Sequence, residues 1–419
     1  MKQSFQNACL FAAYPRLLEQ QDFYMTRIAQ VQKGFADTFQ KEAVHIFSAP
    51  GRTEIGGNHT DHQHGCVLAA AVDLDILGAA AKNESRWIRI FSEGYGMEEI
   101  SLDDLAVKEN EKNTTAALIR GVVSKISQMG YTIGGFDMYT ISNVLKGSGI
   151  SSSAAYEVLV GTAINHLYCD KQLTAVQVAQ IGQYAENVYF GKMSGLMDQT
   201  ASSVGGVVAI DFLDNQNPVV RKLDFDFAKA GYALCIIDSG ADHADLSDEY
   251  SAIPMEMRQV AAHFGKEVLR EVTLEEFLPQ MAEVRKKTGD RAVLRAYHFL
   301  QDNQRAIAEA QALEKGDFTG FLQLVKESGY SSFMYLQNVY VSGSVAHQEV
   351  AYTLAVCEAA LAGKGAYRVH GGGFAGTVQA FVPVDMLTDF VKTVECAIGT
   401  GSCHVLSIRA AGGIELEKE

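Results

Sequence analysis

The sequence predicts an α+β fold in two domains with a ligand cleft between them, and three observations carry that reading. Its 419 residues exceed what one hydrophobic core comfortably holds. Apolar runs of strand length are mixed with pairs of helices, without strict alternation. Asn215-Gln216-Asn217-Pro218 is a turn or linker near the midpoint. The division is an N-terminal extension at 1–22, a first domain at 23–215 and a second at 216–419. A cleft between two such domains is where a small ligand sits.

Residues 1–45 read as helix, because Phe23, Ile28, Val31, Phe35 and Phe39 recur at mostly helical intervals. Val44–Ser48 is a short strand leading into a loop that carries Arg52. Val67–Val72 and Ile76–Ala81 are apolar runs bounded by turns, and Trp87–Phe91 alternates, so these are sheet. Thr114–Met129 has one apolar face and stops at Gly130, which makes it a helix. Phe136–Ser142 returns as a strand. After a glycine-serine loop at Gly147–Ser153 comes a helix from Ala154 to about Leu167, then a second at Val176–Tyr189. Gly191–Asp198 is a loop and Val207–Phe212 a strand. Beyond the linker, Tyr232–Asp238 is a strand, followed by a long helical tract to residue 360 broken at Pro254 and Pro279. A Gly371-Gly372-Gly373 turn, a strand at Thr377–Val382, a helix around Asp385–Ile398 and a strand at His404–Arg409 close the chain.

Hydrophobic residues make up 47% and charged residues 20%, the balance of a soluble globular protein. A net charge of -15 argues against nucleic acid as partner, which needs clustered Lys and Arg. No apolar stretch reaches the roughly 18 residues of a membrane span. The opening MKQSFQNACLFAAYPRLLEQQ has too short an apolar run for a secretory signal. Seven scattered cysteines without CxxC spacing read as reduced thiols, so the expected location is cytoplasmic.

Four segments carry chemistry. In Ala49–Gly65, a Gly56-Gly57 pair permits tight turns, Arg52 offers a fixed cationic fork, and Asn58, His59, Asp61, His62 and His64 offer donors and acceptors to a hydroxyl-rich ligand. An exposed loop or a zinc cluster of His59, Asp61, His62 and His64 are the rival readings, although His-x-Asp-His-x-His is not the spacing of zinc hydrolases. Lys146–Ala155 joins strand to helix. Gly147 and Gly149 free the backbone, and Ser151, Ser152 and Ser153 sit at a helix N-terminus, which is how a chain cradles phosphate. It matches neither GxxxxGK[ST] nor GxGxxG, and a plain capping turn is the alternative. Ser194–Gln199 sets Asp198 among Gly195, Leu196 and Met197, either as a reactive acid or as a helix cap. Arg368–Gly376 holds three consecutive glycines, which imply close backbone approach to something.

In this order the four segments resemble the GHMP family of small-molecule kinases, and within it the galactokinases most closely. Gly51–His62 is similar to the sugar signature GR-x-N-x-IGEHTDY, Leu145–Ala154 to P-x-GxGLSSSA, Ser194–Gln199 to CGIMDQ, and Gly371–Gly376 to GGGFGG. Ser247-Asp248-Glu249-Tyr250 is similar to a further Ser-x-Glu-Tyr segment. The resemblance implies ATP and Mg²⁺ in a cleft and phosphate moved to a sugar hydroxyl. Asp198 becomes base or orienter of the C1 hydroxyl, and Arg52 the cation at the transferred group. Gly147, Gly149 and Ser151–Ser153 hold phosphate, and Ser153 with Glu186 holds the metal. Asn58, His59, Asp61, Gly195 and Tyr250 contact sugar.

The departures are Asn58 in place of the glutamate that reads the 6-hydroxyl, His62 in place of tyrosine, Glu54-Ile55-Gly56 in place of N-x-I, and Leu145 in place of proline. Asn58 faces the C6 substituent or else braces the Gly56-Gly57 turn. Galactose is the expected substrate. Galacturonic acid, L-arabinose and an N-acetylhexosamine are the enzymatic alternatives, and a sugar sensor without turnover is the non-enzymatic one.

Overall fold

Residues 7–144, 149–241 and 246–417 are described by the computed structural model of the chain. Two short-turn-linked helices begin it, α1 (Asn7–Ala13) and α2 (Leu17–Phe39). Along α2 the buried side chains Leu17, Tyr24, Ile28, Val31 and Phe35 fall at helical spacing and pack on one sheet face against Leu77, Ala79, Tyr139 and Ile141. α2 kinks at Gln20, where φ is -128° and ψ 31°, two residues before the end of the extension expected at 1–22, and helix continues beyond it. The extension's Arg16 donates to Ser407 Oγ at 2.6 Å and pairs with Asp73 at 3.2 Å, so this segment also ties the two ends of the chain together.

The strands in chain order are β1 (His45–Gly56), β2 (Cys66–Lys82), β3 (Trp87–Ser92), β4 (Gly96–Ser101), β5 (Phe136–Ser142), β6 (Val207–Asp211), β7 (Val219–Leu223), β8 (Tyr232–Asp238), β9 (Ala366–His370), β10 (Thr377–Pro383), β11 (Cys403–Leu406) and β12 (Ile414–Glu415). Among the described residues they form two sheets. The larger has the order β12-β1-β2-β5-β3-β4, with β6 paired to the first part of β2 and β7 to β6. The smaller has the order β11-β8-β10-β9.

The two apolar runs expected at 67–72 and 76–81 are one 17-residue strand, β2. Asp73 and Asp75 do not interrupt it because each meets a guanidinium, Asp73 that of Arg16 and Asp75 those of Arg27 and Arg409. The segment expected as a loop around Arg52 is the second half of β1, buried along its length. The sheets do not divide at 215 either. β7 stays in the larger sheet, and β12 returns to pair with β1 at Phe47 and Ser48.

The helices continue as α3 (Thr115–Gln128), α4 (Ser152–Tyr168), α5 (Ala175–Tyr184), α6 (Met197–Val204), α7 (Ser247–His263), α8 (Leu274–Phe277), α9 (Met281–Thr288), α10 (Asp290–Glu314), α11 (Phe318–Ser331), α12 (Glu349–Leu361) and α13 (Leu387–Ile398). The apolar sides of α3 and α4 meet the larger sheet through Ile119, Val122, Val158 and Leu159. Pro254 was expected to break a helix, yet α7 runs through it. Glu309, Asp302 and His298 project from α10, buried against β1 and the loop after it. That contact fixes where the cleft lies.

Candidate active site

Arg52 comes from β1 just after a register shift between Pro50 and Arg52. A bulge of this kind re-aims the side chain that follows it. Its backbone N–H donates to Ile150 O at 3.0 Å, and a Cβ at Gly51 would stand 2.5 Å from Ile150 Cγ2, so strand and glycine-serine loop lie in contact. The guanidinium forks onto Asp198, with Nε to Oδ1 and Nη2 to Oδ2 both at 2.7 Å, while Nη1 donates to Gly149 O. Ser151 Oγ donates to Asp198 Oδ2 at 2.6 Å. Asp198 is not in a loop, as expected, but in the first turn of α6, where the helix dipole favours a negative charge. Burial alone would push its carboxyl up, yet the Arg52 charge and the Arg52 and Ser151 hydrogen bonds hold it down at about 2.

The glycine-serine loop arrives at this point in a left-handed turn. Gly149 has φ 69° and Ser151 φ 59°, and α4 starts at Ser152 without a side-chain cap, which leaves its first N–H groups without a side-chain partner from that position. Gly147 lies outside the described residues. Ser153 Oγ donates to Glu186 Oε1 at 3.2 Å, and Lys192 Nζ meets that same oxygen at 2.9 Å. Gln199 Nε2 donates to Glu186 Oε2 and to Glu157 Oε2, both at 3.0 Å. Burial, reinforced by Glu186, pushes the Glu157 carboxyl well above its ordinary range.

Asp61, His59 and Tyr250 form a second polar cluster with the glycine turn. Asp61 accepts from the His62 backbone at 2.9 Å and rests on Gly195, where any Cβ would overlap its carboxylate. His59 donates from Nε2 to Gly372 O at 3.0 Å, and its buried Nδ1 has no protein partner among the described residues. Burial lowers its pKa to about 3, so the ring is neutral with Nδ1 a bare acceptor. Tyr250 donates to Gly373 O at 3.0 Å and lies on Gly372, whose Cβ would stand 2.6 Å from the ring. The three glycines are thus approached by Asn58, His59, Tyr250 and Asn338, the last donating to Gly372 O at 3.2 Å.

Asn58 is fully buried. Its Nδ2 donates to Glu54 Oε1 at 3.0 Å and Gly371 O at 2.7 Å, and its Oδ1 accepts from Asn338 at 2.9 Å and Ser332 at 3.1 Å. Its backbone N–H meets Asp302 and its carbonyl meets His298, both at 2.9 Å. That is the geometry of a brace, with no side-chain capacity left for a ligand.

Around it lies a buried polar layer that was not found from sequence. Arg368 pairs with Glu54 and donates to Ile55 O at 2.9 Å. His370 accepts from the Glu54 N–H at 3.1 Å, and Gln379 donates to Thr53 Oγ1 at 2.8 Å and Glu54 O at 2.9 Å. Burial raises the Glu54 carboxyl to about 7 against the pull of Arg368. The one signal available was the charged Arg368-Val369-His370 run entering the glycine turn. Among the described residues there is no cluster of three or more His, Cys, Asp or Glu set to hold a metal ion, and no helix is long and apolar enough to cross a membrane.

Comparison with known proteins agrees with this geometry. The galactokinase galactose-binding signature matches residues 33–82, and the GHMP kinases N terminal domain matches residues 117–206. The crystal structure of Lactococcus lactis galactokinase complexed with galactose is 26% identical, with 92% of this chain and 99% of that chain covered and a TM-score of 0.79. Methanococcus jannaschii mevalonate kinase is 13% identical over 87% and 98% of the two chains, TM-score 0.60. A D-glycero-D-manno-heptose 1-phosphate kinase from Bacteriodes thetaiotaomicron is 16% identical over 89% and 98%, TM-score 0.57. The latter two speak for the fold alone. The chain is a kinase, a phosphotransferase with an alcohol group as acceptor, and it is similar to the GHMP kinases. Its sugar-loop signature and its structural neighbour make it galactokinase-like.

Proposed function

We propose that the protein moves the γ-phosphoryl group of ATP to the C1 hydroxyl of galactose, giving ADP and galactose 1-phosphate. The observation that carries this is the Arg52–Asp198–Ser151 cluster, together with the uncapped start of α4 and the Asp61–Gly195 contact. Phosphoryl transfer asks mainly for positioning and charge stabilisation. An Asp198 held near 2 is a weak base, which supports a role in orienting the C1 hydroxyl and taking its proton late, as the new bond to phosphorus forms. Arg52 supplies fixed positive charge for the transferred group. The Ser151–Ser153 turn and the α4 N–H groups bind phosphate oxygens. Asp61, His59 Nδ1, Tyr250 and the backbone of Gly195 bind sugar hydroxyls.

The donor set at Ser153 and Glu186, one hydroxyl and one buried carboxylate, fits Mg²⁺, which takes oxygen ligands and keeps waters and phosphate oxygens as the rest. Bound there, the ion would neutralise charge on the phosphate chain. Intact Arg52, Ser151–Ser153 and Asp198 favour turnover over sensing. One observation supports a second sugar. With Asn58 turned into the protein, position 58 offers no carboxylate to a C6 substituent, so galacturonic acid, L-arabinose and N-acetylhexosamines are the alternatives. An ATP-consumption screen over these sugars and galactose, with the product's phosphate position read by ³¹P NMR, tests the proposal. Turnover only with a sugar other than galactose would replace the substrate, and none with any would leave the sensor.

A further inference from the structure

Lys192 has no part in the site assigned so far, yet it stands inside it. A π-helical turn (Ala185–Phe190) follows α5, and its end folds back so that the N–H groups of Gly191 and Lys192 both donate to Glu186 O, at 3.0 and 3.1 Å. Turns of this type recur at functional sites. Here the fold-back brings residues six apart in sequence together, Lys192 Nζ lying 2.9 Å from Glu186 Oε1. The two ends of this pair differ. The Glu186 side chain is 3% exposed and pinned by Ser153 and Gln199, whereas the Lys192 side chain is 57% exposed and reaches in from the rim. Arg52 turns toward Asp198 and Gly149 O, and Lys192 is the cation that meets Glu186.

A divalent ion and an ammonium compete for one carboxylate oxygen. The ion brings two charges and arrives with a polyphosphate that needs more. We propose that Lys192 is an exchangeable cation of the reaction centre, paired with Glu186 in the nucleotide-free protein and transferred to the β- and γ-phosphate oxygens when Mg·ATP binds. This rests on the reading of Ser151–Ser153 and Glu186 as the phosphate and metal side of the site. It supplies the lysine that the glycine-serine loop, which does not follow GxxxxGK[ST], fails to place after its second glycine.

Calorimetric titration of the full chain with ATP, sugar omitted, tests it at saturating and limiting Mg²⁺ in wild type, Lys192→Gln and Lys192→Arg. The expected result is about tenfold weaker ATP binding for K192Q at saturating Mg²⁺, with most of the affinity kept by K192R. Half-saturation in Mg²⁺ should fall in K192Q, because Glu186 no longer has a resident cation to displace. Unchanged ATP affinity in K192Q would overturn the proposal, leaving Lys192 a partner of Glu186 only. So would equal losses of ATP affinity and of melting temperature in both variants, which mark a structural role. No sugar enters the titration, so a wild type that phosphorylates none of the sugars leaves this result standing. Wild-type ATP binding with an indifferent K192Q sinks this inference alone.

Discussion

Arg52 and Glu54 stand two residues apart on β1, and the polar clusters they enter hold buried carboxylates in opposite ways. Asp198, beside Arg52, has both oxygens bonded to one guanidinium and a serine, and it stays ionised with its pKa at about 2. Glu309, in the layer around Glu54, is fully buried, and neither oxygen has a protein partner among the described residues. Burial, with the charge of Asp302 adding to it, pushes its carboxyl well above the ordinary range. It also fills the space where Gly56 lacks a side chain. The difference teaches that burial alone decides little. Asp198, with both oxygens met by one guanidinium, keeps its charge and can act, whereas Glu309, with no such match, keeps its proton and serves as packing. Glu54, paired with Arg368 yet raised to about 7, lies between them.

The sharpest break of this contrast is Asp198→Asn. It should lower kcat on the order of 10³-fold while Mg·ATP affinity in a titration stays within about threefold. More than a tenth of wild-type turnover would remove Asp198 from the reaction. Arg52→Lys keeps the charge and loses the planar fork, so kcat should fall about 10²-fold, read in the same assay with the melting temperature unchanged. A melting temperature that drops with kcat would place Arg52 among the structural groups instead.

Asn58→Glu carries the contrast into the layer. It would set a second carboxylate beside Glu54, with Arg368 already engaged by Glu54 and by Ile55 O. The expected cost is about 3–5 kcal/mol of stability. Activity on galactose and galacturonate should fall together, leaving the ratio of their kcat/KM values unchanged. A changed ratio in a protein that unfolds as wild type does would put residue 58 back among the sugar contacts.

Glu309→Gln is read in stability alone, and its sign is fixed. Below the unfolded pKa, about 4.3, both states of Glu309 hold the proton and its contribution is intact. As pH rises above that value the unfolded chain ionises while the fold keeps the proton, and stability is lost until pH passes the raised folded pKa. The amide cannot ionise, so E309Q should match wild type near pH 4.5 and exceed it increasingly toward pH 7.5, by at most about 1.4 kcal/mol per pH unit. Parallel melting curves at the two pH values would show that Glu309 is ionised in the fold.

Legibility from sequence followed polarity. Phe136–Ser142 and Tyr232–Asp238 were read at their observed bounds because apolar runs there mean burial. The second half of β1 was missed, because Arg52, Thr53 and Glu54 look like an exposed loop. They are buried, and their partners Arg368, His370 and Gln379 lie more than 300 residues away in sequence. β4 was missed because Ile100 is its one fully buried residue and the rest are exposed or half-buried, a weak apolar signal. Asp198 was read as a loop residue because the glycine before it hides the start of α6.

The sequence by itself determined the class of chemistry. Arg52, the serine turn, Asp198 and the glycine turn are short motifs whose composition serves phosphate and hydroxyl binding whatever surrounds them. Only the tertiary structure decided which members of those motifs keep unused hydrogen-bonding capacity. His59 and Asn58 are neighbours in one polar run, yet the ring keeps a bare acceptor and the amide has none. A side chain's capacity for hydrogen bonds is written in its residue type, but whether that capacity is free depends on groups from Gly371, Ser332 and Asn338, which only the folded chain brings within reach.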